Sequence, residues 1–110
     1  MEPLDTHRRH ADALRAAVTG PGMITDPALR SAAMDRAAGG APIAEPCDEL
    51  ARQIGEAAYR VTDEQVRAVR EATGGDKAAF EVIMSACVGA GLARWDAAVR
   101  AIEEADRAPS

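Results

Sequence analysis

From Phe80 to Ile102 the chain reads FEVIMSACVGAGLARWDAAVRAI, with no proline and with apolar residues recurring every three or four positions. That periodicity predicts one long helix. Two glycines, Gly89 and Gly91, sit in its middle, and each costs about 1 kcal/mol relative to alanine in a helix. A glycine kept there has a use: where a side chain would hold two helices apart, glycine lets their backbones close. A phosphate-cradling glycine loop does not fit, because Gly89-Ala90-Gly91 follows no strand and opens no helix. The two face different directions at about 100° per residue. Apolar positions 80, 84, 87, 88, 91, 92, 95, 99 and 102 form one stripe along this helix. Phe80, Met84, Cys87, Val88, Leu92, Trp95, Val99 and Ile102 are therefore expected to form the core. Leu50, Ile54, Val66 and Val69 are expected to pack onto them.

Small residues dominate the rest of the chain. Of 52 hydrophobic residues in 110, 26 are alanines, and the aromatics are only Tyr59, Phe80 and Trp95. One domain, residues 1–110, fits this length. Its core is thin per helix, so helices must approach closely, and a second copy of the chain is expected to complete the burial as a dimer or a trimer. Ile83, Ala86, Ala90 and Ala97 widen the apolar face of the long helix beyond one layer of neighbours.

No strand signal interrupts the helical spacing, so the fold class is all-α with five helices. The first is expected from Thr6 to Val18, stopping at Thr19-Gly20-Pro21-Gly22. The second starts where Asp26 caps and Pro27 takes the first turn, and it closes at Gly39-Gly40. Together they make up residues 5–38. Ala41–Pro46 is an extended linker, because residues before proline avoid the α region. A third helix follows Pro46. Thr62-Asp63-Glu64-Gln65 is a capping box that opens a short fourth helix, which ends at Gly74-Gly75. Asp76 then caps the long fifth. The ends before Leu4 and after Asp106 are expected to fray.

The net charge of −5 and the absence of a basic stripe argue against nucleic acid. No apolar leader or membrane span is expected, which makes the cytoplasm the default location. Cys47 and Cys87 lie too far apart in sequence for a CxxC pair or a zinc half-site, and free thiols are expected in a reducing compartment. His7 and His10 stand three apart without a third ligand nearby, and Arg8 and Arg9 would repel a cation, so neither a metal nor a cofactor is expected.

Residues 57–102 resemble the AhpD-like superfamily of alkylhydroperoxidase D and carboxymuconolactone decarboxylase. The resemblance rests on the capped helix VTDEQVRAVREA, a turn, and a long helix opening AFEVIMSACVGAGLARWDAAV, with its Phe-Glu start and Gly-x-Gly-Leu run. It implies an oligomeric all-helical bundle, with a family-like module at about residues 46–106. The peroxidase branch uses a Cys-x-x-Cys pair with a Glu and a His. Here Leu50 stands where the second cysteine would follow Cys47, and no histidine lies beyond His10. The resemblance therefore implies the fold without the thiol peroxidase chemistry.

Three residues are candidates for other chemistry. Glu81 would be an acid or base if an apolar pocket raised its pKa, or a first-turn acid complementing the helix dipole. Tyr59 would hydrogen-bond into a pocket or pack at its edge. Arg94 would grip a small acidic ligand in bidentate fashion, or make an ion pair. Three functional classes follow: a catalytically silent oligomeric helical protein, a cofactor-free decarboxylase or lyase acting on a small carboxylated or lactone-like substrate, and a thiol redox protein using Cys47 or Cys87.

Overall fold

The computed structural model describes residues 4–109, which form five α-helices and no strand. In chain order these are α1 (Asp5–Val18), α2 (Pro27–Ala37), α3 (Cys47–Ala57), α4 (Asp63–Thr73) and α5 (Asp76–Arg107). A short 3-10 turn, Ala58–Arg60, joins α3 to α4. The expected fraying before Leu4 falls on residues 1–3, outside the described residues. At the other end α5 runs one residue past Asp106.

Local chemistry explains most of the boundaries. The Asp26 carboxylate accepts from the Ala28 amide, with Pro27 in the first turn of α2. At α4, Thr62 Oγ1 accepts from the Gln65 amide and the Gln65 side chain accepts from the Thr62 amide, the reciprocal capping box. Gly74 ends α4 in the left-handed conformation, which a residue with a side chain adopts only under strain. Asp76 does not cap α5; Gly75 takes that position and Asp76 is the first helical residue.

α5 is the axis of the fold, and the other four helices pack against it, α2 most extensively. The molecule is elongated, 55 × 29 × 21 Å. By length and composition α5 could also cross a bilayer, contrary to the sequence expectation; here it is the central packing helix.

The buried face of α5 is not the expected one. Ala78, Ala79, Val82, Ser85, Ala86, Gly89 and Ala90 face the core, against Ala33 and Ala37 of α2 and Leu50, Ala51 and Ile54 of α3. On a helical wheel this face lies nearly opposite Phe80, Met84, Cys87, Gly91 and Trp95. Phe80 is 62% exposed, Met84 45% and Ile102 47%. Cys87 is exposed too, while Val88 and Trp95 are half-buried. Of the expected stripe only Leu92 and Val99 are buried, and of the supporting residues Leu50, Ile54 and Val69 are buried with Val66 at the edge.

The reason is steric. An alanine surface lets α2 approach α5 so closely that a Cβ on Gly89 would stand 2.0 Å from the Met34 carbonyl oxygen. Gly55 of α3 meets Ala37 of α2 in the same way, at 2.1 Å. Larger side chains at these crossings would hold the backbones apart, so size is a poor guide to burial here. Leu92, buried at the edge of the core, should cost about 2 kcal/mol on replacement by alanine, the low end of the large-to-small range, because water can partly fill the space. Urea midpoints of the two proteins check this.

Candidate functional site

The segment between α1 and α2, residues 19–26, carries few apolar anchors and is tied down by two charged side chains. From α5, Glu81 accepts at both carboxylate oxygens: the Ile24 amide donates to Oε2 at 3.0 Å, and the Thr25 amide and hydroxyl donate to Oε1 at 2.9 and 2.6 Å. From α2, Arg30 is 1% exposed. Its Nε donates to the Val18 carbonyl at 2.6 Å, Nη2 to the Gly20 carbonyl at 2.8 Å, and Nη1 to the Thr25 hydroxyl at 3.1 Å and to the Thr25 carbonyl. Thr25 thus joins the carboxylate to the guanidinium.

This geometry favours the ionised alternative for Glu81 over the raised acid or base. The Thr25 hydroxyl bond, then the two backbone amides and the Arg30 charge, outweigh burial and hold the carboxyl down to about 2. Glu81 lines a small apolar recess of about 140 Å³ together with Leu14, Val18, Phe80 and Met84. Its oxygens nevertheless face the segment they clasp, and a group ionised so firmly is a poor proton donor at neutral pH.

Arg94 lies elsewhere. From Glu81 it is displaced about 20 Å along the α5 axis and roughly 140° around it. It lines a cleft of about 300 Å³ with Arg36, Arg52, Gly55 and Glu56. Each guanidinium in that cleft has a partner: Arg94 donates to the Gly55 carbonyl at 3.1 Å, Arg52 pairs with Glu56 at 2.6 Å, and Arg36 pairs with Asp48 at 2.7 Å. Asp48 also accepts from the Ile43 amide, and that bond with the Arg36 contact holds its carboxyl below the usual range. Tyr59 is 83% exposed in the 3-10 turn, with the Arg60 guanidinium 5.6 Å from its ring centre. Glu81, Arg94 and Tyr59 therefore point to different surroundings.

The thiols are separate as well. Cys47 is buried at the start of α3 and Cys87 is exposed on α5. Burial pushes both thiols up, with the Glu45 charge adding to the shift at Cys47, so less of the reactive thiolate forms near neutral pH. His7 and His10 are in edge contact with ring centres 6.5 Å apart, and His7 also meets Trp95 edge-on at 5.9 Å. Among the described residues no three His, Cys, Asp or Glu side chains could hold a metal ion.

One apolar surface remains largely open, covered only along one edge where His7 of α1 meets Trp95. Along α5, Phe80, Met84, Cys87, Gly91, Trp95, Ala98 and Ile102 make a stripe free of charge, on the side away from α2. α1 flanks it, and between the two helices lies an open hollow of about 480 Å³ lined by Leu14, His7, Met84, Val88, Gly91 and Trp95. Nothing stands within 4 Å of where a Gly91 Cβ would be. Phe80, Met84, Cys87, Trp95 and Ile102 are expected from the sequence to be core; their periodicity is real, but it marks a second apolar face.

No family model, curated protein or solved structure matches this chain.

Proposed function

We propose that this chain is an AhpD-like helical protein without peroxidase chemistry, one that works by association through the outer face of α5. The observation that carries the reading is the uncharged apolar stripe left open opposite the core. A monomer exposes such contiguous apolar surface at a cost in solubility, and large patches mark interaction sites. The candidate chemistry supports the same reading. Glu81 is committed to the α1–α2 segment, the arginines of the cleft are paired, and both thiols are shifted away from the thiolate. A decarboxylase built on Glu81, Tyr59 and Arg94 finds no support in a Glu81 committed to the α1–α2 segment and displaced about 20 Å along α5 from Arg94.

With hydroperoxide and a dithiol reductant, turnover should not exceed that of the Cys47→Ser and Cys87→Ser proteins. Turnover that either substitution abolishes would overturn the reading. The surface half is checked by a maleimide dye: in dilute native protein the accessible Cys87 should label well before Cys47, which should label only after unfolding.

A further inference from the structure

We infer that the outer face of α5 is the interface of a twofold dimer in which two α5 helices lie antiparallel with the axis at Gly91. The inference rests on the association reading and names its partner as a second copy of this chain.

Three observations select that partner. The first is length. From Phe80 to Ile102 the stripe runs about 33 Å at 1.5 Å per residue, and only a helix of similar length covers it. α5 has 32 residues, whereas α1 to α4 have 14 or fewer. The spacing of the stripe, alternating mostly between three and four residues, is that of a helix packing along its whole length against another.

The second is size complementarity. Gly91 is the midpoint between Phe80 and Ile102. A perpendicular twofold axis there sets Gly91 against its own copy, Cys87 against Trp95, Met84 against Ala98 and Phe80 against Ile102. The bulky Trp95 and Met84 each meet a smaller side chain, and the two backbones close where neither has a Cβ. Gly91 is exposed in mid-helix with nothing near it in the chain; a second backbone supplies the use that the monomer lacks. A twofold contact needs a self-complementary patch, and this stripe is one.

The third is charge. Lys77 stands at one end of the stripe and Asp106 at the other. The antiparallel arrangement brings each toward its opposite, whereas a parallel one sets Lys77 beside Lys77 and Asp106 beside Asp106. Opposed helix dipoles favour the same sense. Over a width of one to two helices, the footprint corresponds to on the order of 600 Å² per chain, somewhat below the ~800 Å² of a standard interface. Association should therefore depend on concentration within the micromolar to millimolar range.

Light scattering on the full chain from 1 µM to 1 mM, with Cys87 labelling in parallel, tests this. Mass should rise from 11.5 kDa toward twice that value, and labelling should slow at least tenfold as it does. Gly91→Leu should remain at the monomer mass and label quickly throughout, with its melting temperature no lower than that of the dilute wild type. In a Cys87→Ser background, Phe80→Cys with Ile102→Cys should cross-link under mild oxidation and Phe80→Cys alone should not; the reverse pattern overturns the antiparallel arrangement. A wild-type mass fixed at 11.5 kDa with fast labelling overturns the dimer but leaves the open face for another partner. The same fixed mass with slow labelling means that the chain covers the face itself, and both readings fall. A Gly91→Leu protein that still dimerises places the interface elsewhere.

Discussion

Gly89→Ala should lower stability by about 3 kcal/mol or more, at or beyond the top of the 1–3 kcal/mol range of ordinary overpacking. The added methyl would stand 2.0 Å from the Met34 carbonyl oxygen and 2.9 Å from the Met34 Cα, and these are backbone atoms that no rotamer change can move aside. Relief requires α2 to lift away from α5, which opens the contact that buries Ala33, Ala37, Ala86 and Ala90. Against a total stability of roughly 5–15 kcal/mol for a domain of this kind, that loss takes a large share of the folded state's margin. The same substitution at Gly91 adds a methyl to open space and gains about 1 kcal/mol of helix propensity in the monomer. Urea denaturation of the two variants at micromolar protein is the measurement. Equal midpoints, or a Gly89→Ala protein within 1 kcal/mol of wild type, would remove the close α2–α5 crossing from the fold.

That contrast shows how far the sequence could be read. Helix ends were legible because they depend on local chemistry: Asp26 before Pro27, Thr62 with Gln65, and Gly74 at the end of α4 each act within four residues. The long helix was legible from its period. Which of its two faces turns inward was not, because the choice depends on the neighbours. Phe80, Met84 and Trp95 have more surface to bury, but they would hold α2 at a distance at which Ala33 and Ala37 could not touch α5. Glycine spacing held part of the answer: Gly55 and Gly89 are the two positions at which a Cβ would meet another helix's backbone at close range. Both glycines of α5 stand out in the sequence, but nothing local tells Gly89, which meets α2, from Gly91, which meets nothing. For Glu81 the sequence leaves two charge states open, a raised acid or an ionised first-turn carboxylate, and cannot choose between them, since its partners Ile24 and Thr25 come from 57 and 56 residues earlier in the chain. Arg30 gave no signal at all; an arginine in an alanine-rich helix usually points to solvent.

Removing the Arg30 guanidinium should cost about 3–5 kcal/mol, as expected when one member of a buried charged network is lost. In Arg30→Met the side-chain volume is largely kept, but the carbonyls of Val18, Gly20 and Thr25 lose their donor and the buried Glu81 carboxylate loses its countercharge. Arg30→Lys should recover little, because one ammonium cannot reach acceptors spread around a planar fork. Glu81 ties the same network to pH. Its folded pKa, about 2, lies below the ordinary 4.5, so the folded state binds its proton less readily than the unfolded state does. The stabilisation is complete above about pH 4.5 and is lost as pH falls toward 2. Glu81→Gln cannot make that transition, and its amide group would turn a donor toward either the Ile24 amide or the Thr25 pair. Its stability should be lower at neutral pH and should change less than wild type between pH 5 and 2. Asp48 titrates low in both proteins, so the difference between the two curves isolates Glu81. Parallel curves over that interval would show that the carboxylate does not hold the α1–α2 segment, and the case for a structural rather than catalytic Glu81 would fall with it.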